Sequence, residues 1–204
     1  MREIDKGRTI NNIQSISKDG NVILINKDNR NKIDEFYFQP EDTKDIKRFI
    51  KNVENLVRSS VEYSNYISYL SNDQGIINDA LMSKITSDSA TLEFHHYPFT
   101  LYDIVEIVLN YNIKRKNKVT SISLAEEVMK LHYKNIVGLT RVSKTVHQLA
   151  HSGSIFIPLD SIFGDVNEFI NQYFDSIFTD QIEKYNILVE IDKNKNFVND
   201  LKIK

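Results

Sequence analysis

The chain has no cysteine among its 204 residues. That excludes disulfide frameworks and cysteine-rich zinc ribbons, so any transition-metal site must be built from histidine and carboxylates. An excess of positive charge is also missing: 26 Lys and Arg against 28 Asp and Glu leave a net charge of -2 and a pI near 6.2. Proteins that coat nucleic acid without sequence preference are usually basic overall. Contact with nucleic acid would here need a local basic surface or a partner that delivers it. Long apolar runs are absent as well. No stretch approaches the roughly 18 consecutive apolar residues of a membrane span, and the charged Met1–Gly7 segment is followed by no apolar signal core. The expectation is a cytoplasmic protein with no membrane partner. What is present, 41% hydrophobic and 26% charged residues, is ordinary for a globular chain. No internal repeat or low-complexity tract occurs.

Along the chain, Asn21–Asn26 and Ile33–Phe38 read as two short β-rich runs joined by turn-forming residues 27–31. A β-hairpin is the simplest reading. From Thr43 to Leu70 the apolar residues Ile46, Phe49, Ile50, Val53, Leu56 and Val57 keep helical spacing, with a break expected near Ser59–Ser60. Residues 76–91 connect this helix to a strand that stops at Pro98. Thr100 with Asp103, and Ser123 with Glu126, carry the spacing of capping boxes that open two further helices. Ile136–Leu139 reads as a strand, Ser143–His151 as a short helix, and Ile155–Ile157 as a brief strand. A helix is expected from Asp165 to Ile177, followed by a polar tail.

The informative scarcity is histidine. There are five, all between residues 95 and 151. His95 and His96 sit together at the end of an expected strand. His147 and His151 are four apart on an expected helix, which puts both imidazoles on one face within reach of a single ion. Asn135 precedes the segment that leads into this helix. Each pair alone also fits packed or surface histidines; the four with Asn135, in this order, point to a metal site. His132 has no place in the pattern and reads as a helix C-terminal residue favoured by the dipole.

The stretch Glu93–Phe–His–His–Tyr–Pro98, with Asn135–Ile–Val–Gly–Leu139 and Lys144–Thr–Val–His–Gln–Leu–Ala–His–Ser–Gly153, resembles HNH endonucleases of the ββα-metal (His-Me finger) superfamily. The resemblance covers residues 92–98 and 135–153. Two departures stand out. About 38 residues separate His96 from Asn135 where the family has a short loop, and the paired Cys-x-x-Cys knuckles of many members are missing.

The resemblance implies an α+β fold, a ββα-metal core with helical insertions, preceded by the hairpin and helix. Residues 1–75 would form that N-terminal region, 76–180 the HNH-like domain with helices inserted over 99–133, and 181–204 a polar tail. It further implies that His95, His147 and His151 hold one divalent ion. His96 would be the general base toward water and Asn135 would orient its ring. Three imidazoles suit zinc, nickel, manganese or cobalt better than magnesium. The reaction implied is phosphodiester hydrolysis in DNA, in a host cytoplasm if the chain is phage-encoded. Arg115, in the basic run 114–118, and Arg141 and Lys144, near the helix start, are candidate phosphate contacts. Glu93 shares a strand face with His95 and reads either as a partner of the site or as a solvated acid. The N-terminal 90 residues carry no readable motif and could hold a protein partner. A binding or regulatory protein that keeps an HNH-like fold without catalysis, and an RNA-cleaving variant, are the competing readings.

Overall fold

A computed structural model describes residues 14–16, 22–24 and 43–201. Strands β1 (Gln14–Ile16) and β2 (Val22–Leu24) pair antiparallel. The run at 22–24 is therefore a strand, but its partner, Gln14–Ile16, lies upstream of both runs expected to pair. The other expected half of the hairpin, 33–38, lies outside the described residues.

Helix α1 (Thr43–Ser59) and helix α2 (Val61–Asn72) meet at Ser60, where the apolar periodicity predicts a break. The Ser60 hydroxyl accepts from Tyr63 N at 3.0 Å and so caps α2. After the connector comes β3 (Leu92–His96), then α3 (Leu101–Lys114) and α4 (Ser121–Tyr133). The capping box of Thr100 and Asp103 forms as expected. In α4 the box sits three residues earlier than expected: Thr120 accepts from Ser123 N at 3.0 Å, while Ser123 Oγ accepts from Thr120 N at 2.9 Å. Strand β4 (Leu139–Ser143) follows and runs directly into α5 (Lys144–His151), with Ser143 as N-cap. Helix α6 (Val166–Tyr173) and helix α7 (Thr179–Leu201) complete the chain.

The result is a mixed α/β protein, mostly helical, with two two-stranded sheets among the described residues. Strand β4 begins where sequence reading placed the end of a strand. Gly138 explains the shift: it sits so close to β3 that a Cβ there would stand 2.1 Å from the Tyr97 carbonyl oxygen, and its own carbonyl accepts from Tyr97 N at 3.1 Å. The ladder continues from this contact in antiparallel register, pairing His96 with Leu139, His95 with Thr140 and Glu93 with Val142.

Two further expectations fail. Residues 155–157 form no strand; Ile157 instead packs as a buried side chain in coil. Residues 181–201 are helix rather than tail, anchored by buried Leu188 and by Tyr185, whose ring stacks on Phe99 at 6.1 Å. Packing runs across the boundary expected at 75/76. One continuous core joins Ile50, Val53, Tyr66 and Leu70 of α1 and α2 to Leu101, Leu124, Ile136 and Phe169. A smaller cluster of Tyr97, Val142, Val146, Ile157 and Leu188 lies under the β3–β4–α5 unit. Among the described residues no helix is long and apolar enough to cross a membrane.

Candidate metal centre

Strand geometry sorts the histidine doublet. Successive side chains of a strand point to opposite faces, so His95 and His96 cannot serve one ion together. His95, with Glu93, faces α5. His96, with Phe94, faces the main core.

On the α5 side, His95 meets His147 and His151. The three ring centroids stand 4.5, 4.9 and 4.7 Å apart, close to an equilateral triangle. One nitrogen from each ring lies within 4.8 Å of the others. Helix α5 presents its two rings together because they are one turn apart, and Val146, just before His147, anchors the helix in the smaller cluster. Asp79 secures the strand-to-helix junction: its carboxylate accepts from the backbone N of Ser143, Leu81 and Met82.

Glu93 is a working partner of this cluster. Its carboxylate accepts from His147 Nδ1 at 2.7 Å. With the proton on Nδ1, the lone pair of His147 sits on Nε2, and that atom is 2.9 Å from His151 Nε2. A carboxylate that fixes a ligand's tautomer is the usual companion of a metal-binding histidine. Burial, followed by the charges of His147 and His151, lowers the His95 pKa to about 4. His151 is lowered too, by burial and then by His147 and Lys184. Both shifts favour the neutral imidazole, the form in which His95 and His151 can ligate an ion. The donor set fits a borderline cation such as zinc, nickel, cobalt or manganese: three imidazoles, no thiolate, and an exposed His151 that leaves one side open to solvent. Glu93→Gln keeps a side chain of the same size but loses the charge. We expect it to weaken zinc binding about 10- to 100-fold while leaving the fold unchanged. Competition against a chromophoric chelator would measure this, and an unchanged affinity would remove Glu93 from the site.

On the other face, His96 is buried and packs against His132, a residue with no place in the sequence pattern. Their Nε2 atoms are 2.9 Å apart, and His132 Nδ1 lies 2.8 Å from the Val128 carbonyl oxygen. That carbonyl only accepts, so His132 carries its proton on Nδ1. His132 Nε2 is then the acceptor and His96 Nε2–H the donor. Tyr63 stacks on His96 at 6.0 Å, and Tyr66 meets His132 edge-on at 5.4 Å. Burial holds the His132 pKa at about 4 and that of His96 well below the ordinary range. The structure therefore does not place His96 as a base facing water beside the cluster. Nor does Asn135 orient it: Asn135 Oδ1 accepts from the Tyr66 hydroxyl at 3.0 Å, and its backbone takes a positive φ of 55° at the bend after α4.

The candidate phosphate contacts divide similarly. Arg115 lies over the Tyr111 ring at 3.5 Å and pairs with Asp175 at 3.2 Å. Arg141 donates to the Ile76 carbonyl at 2.8 Å and to Ser71 Oγ at 3.3 Å, so it ties β4 to the connector after α2. Both are committed to structural contacts. Lys144 is exposed at the start of α5. Two cations outside the sequence pattern bring positive charge to the site: Arg58 of α1 and Lys184 of α7 both act to lower the His95 pKa.

These features define a mostly helical α/β protein with a three-histidine cluster on a strand–strand–helix unit. The family model for bacteriophage G278-like virion proteins matches residues 1–202, and the chain belongs to that family. No curated protein and no solved structure matches it.

Proposed function

We propose that this chain is a metal-dependent hydrolase of DNA phosphodiester bonds, carried with a phage particle and working from a ββα-type site made by β3, β4 and α5. One juxtaposition supports this reading. His95 at the end of a strand, and His147 and His151 on the helix after the paired strand, bring three ligand nitrogens within 4.8 Å of one another. Strand, strand, helix is the order in which HNH endonucleases arrange such ligands; the two helices between β3 and β4 are an insertion into it.

A bound divalent ion would supply positive charge to the scissile phosphate and the leaving oxygen. The chain's own residues do the rest. Glu93 holds His147 in the ligating tautomer, the surroundings of His95 keep it neutral, and the exposed side of His151 is where a phosphodiester would enter. His96 acts through packing, as the donor to His132 that seats the end of β3.

A second reading has a specific observation behind it. The histidine that would be the base is fully committed to the core, which suits a virion component whose ion only fastens α5 to the sheet. Supercoiled plasmid with manganese, nickel, zinc or magnesium separates the two. We expect conversion to open circles with at least one of the first three ions, weaker conversion with magnesium, and none for His151→Ala. Intact plasmid under every ion, with zinc still bound, would leave the fastening role alone. Loss of cutting in a folded, metal-binding His96→Ala variant would return the base role to His96.

A further inference from the structure

Helix α1 carries no motif in the sequence, yet its exposed cations are gathered on one surface. Its buried stripe is Ile50, Val53 and Val57. An exposed flank of the helix carries Lys47, Lys51, Asn55 and Arg58, at i, i+4, i+8 and i+11, which places them in one line along about 16 Å of helix. Lys47, Lys51 and Asn55, with Arg48 and Asn52 beside them, line an open cleft of about 860 Å³ whose other wall is Tyr102 and Glu106 of α3. Over residues 46–59 the helix carries four cations and one acid, in a chain whose sum is -2. The carboxylates facing this surface are Glu106, which accepts from Gln181 at 3.0 Å, Glu54, which stands 3.8 Å from Arg58, and Asp103, which is bound in the α3 capping box. The hydrogen bonds hold Glu106 and Asp103 in place on the α3 side without removing their charge, so the positive charge of this surface lies along α1 itself.

The line also leads somewhere. Arg58 lies five residues before Tyr63, whose ring stacks on His96, the neighbour of His95. The charge of Arg58 reaches His95, His96 and His132.

We propose that the exposed face of α1, through Lys47, Lys51, Asn55 and Arg58, holds the phosphate backbone of duplex DNA and leads it toward the β3 end of the three-histidine site. The inference rests on the hydrolase reading above and gives that reading its substrate-holding surface. Cations spaced along one helix face match the regular charge of a nucleic-acid backbone, and asparagine amides add uncharged donors to phosphate oxygens. Such contacts position DNA without reading its sequence, so the surface predicts affinity without base preference.

The test uses the full chain, a fluorescein-labelled duplex of about 20 base pairs and chelator to prevent cutting, with anisotropy followed from about 50 to 200 mM salt. The triple variant Lys47→Gln, Lys51→Gln, Arg58→Gln changes only exposed side chains. We expect it to bind at least tenfold more weakly, with the slope of log affinity against log salt reduced by about two to three. The pair Lys130→Gln, Lys134→Gln, in the last turn and at the C-cap of α4, should bind as the wild type does. Hydrolysis of bis(p-nitrophenyl) phosphate by the metal-loaded protein is the second readout, since so small a diester does not need the track. Unchanged turnover of it in the triple variant, together with lost DNA binding, supports the surface. DNA binding that depends on α1 in a protein that hydrolyses neither substrate keeps the surface and ends the hydrolase reading. Wild-type failure to bind duplex DNA, equal loss in both variants, or no loss in the triple variant overturns the proposal.

Discussion

Replacing His147 with alanine is expected to lower zinc affinity by at least about 100-fold and to abolish the thermal stabilisation that zinc gives the wild type. The variant takes away the ligand that Glu93 orients and leaves His95 and His151 alone. Glu93 itself is left without a partner, but its side chain is 40% exposed, so water replaces the lost hydrogen bond. The metal-free variant should therefore melt close to the metal-free wild type. With zinc about 100-fold above its dissociation constant, the wild type gains about 2.7 kcal/mol, and the variant should gain almost nothing. Calorimetric titration and paired melting curves measure both quantities. Equal zinc affinity in wild type and variant would show that these rings do not share an ion.

The second large effect is on stability in acid. His132 is fully buried, and burial holds its pKa at about 4; His96, its partner, is depressed in the same way. In the unfolded chain both return to the ordinary value near 6.5. The neutral forms are the ones the folded state keeps, so this contribution is fully present above about pH 6.5. It is lost as pH falls toward 4, because the unfolded chain takes up protons that the folded chain refuses. For His132 alone the loss is about 3 kcal/mol by pH 4. His95, also held at about 4, adds in the same direction. Denaturant unfolding with chelator present should show stability level from pH 8 to about 6.5 and then falling steeply. In His132→Gln the fall should be shallower, at the cost of lower stability at neutral pH. A wild-type profile flat between pH 7 and 5 would mean that these histidines are hydrated in the native state.

How much of this could be read from the residues differs from place to place. The His147–His151 pair was fully legible, because spacing of four on a short capped helix has one geometric meaning. Strand alternation was legible too, and it already placed Glu93 with His95. The same alternation separates His96 from His95, which the resemblance to a His-His motif obscured. His132 was misread from its place at a helix end. Its position four residues after Val128, on the face that also buries Leu124 and Leu131, marked it as core. Helix α7 was missed because its apolar positions are diluted by Asn, Glu and Lys, so its order comes from docking Leu188 and Tyr185 rather than from any pattern of its own. The basic line on α1 escaped because the helix was read only for its apolar stripe. The insertion between β3 and β4 was recognised as helical, but the sequence could not say that its helices would pack with α1 and α2 into a single core.

That insertion has a consequence for how an ion would be captured. In an unfolded chain the helix pair His147 and His151 is local, while His95 lies a whole helical excursion away. The three nitrogens can converge only when β3 and β4 are paired across the intervening α3 and α4. Tight capture of zinc would then arrive late in folding, and the ion would serve as a reporter of assembly.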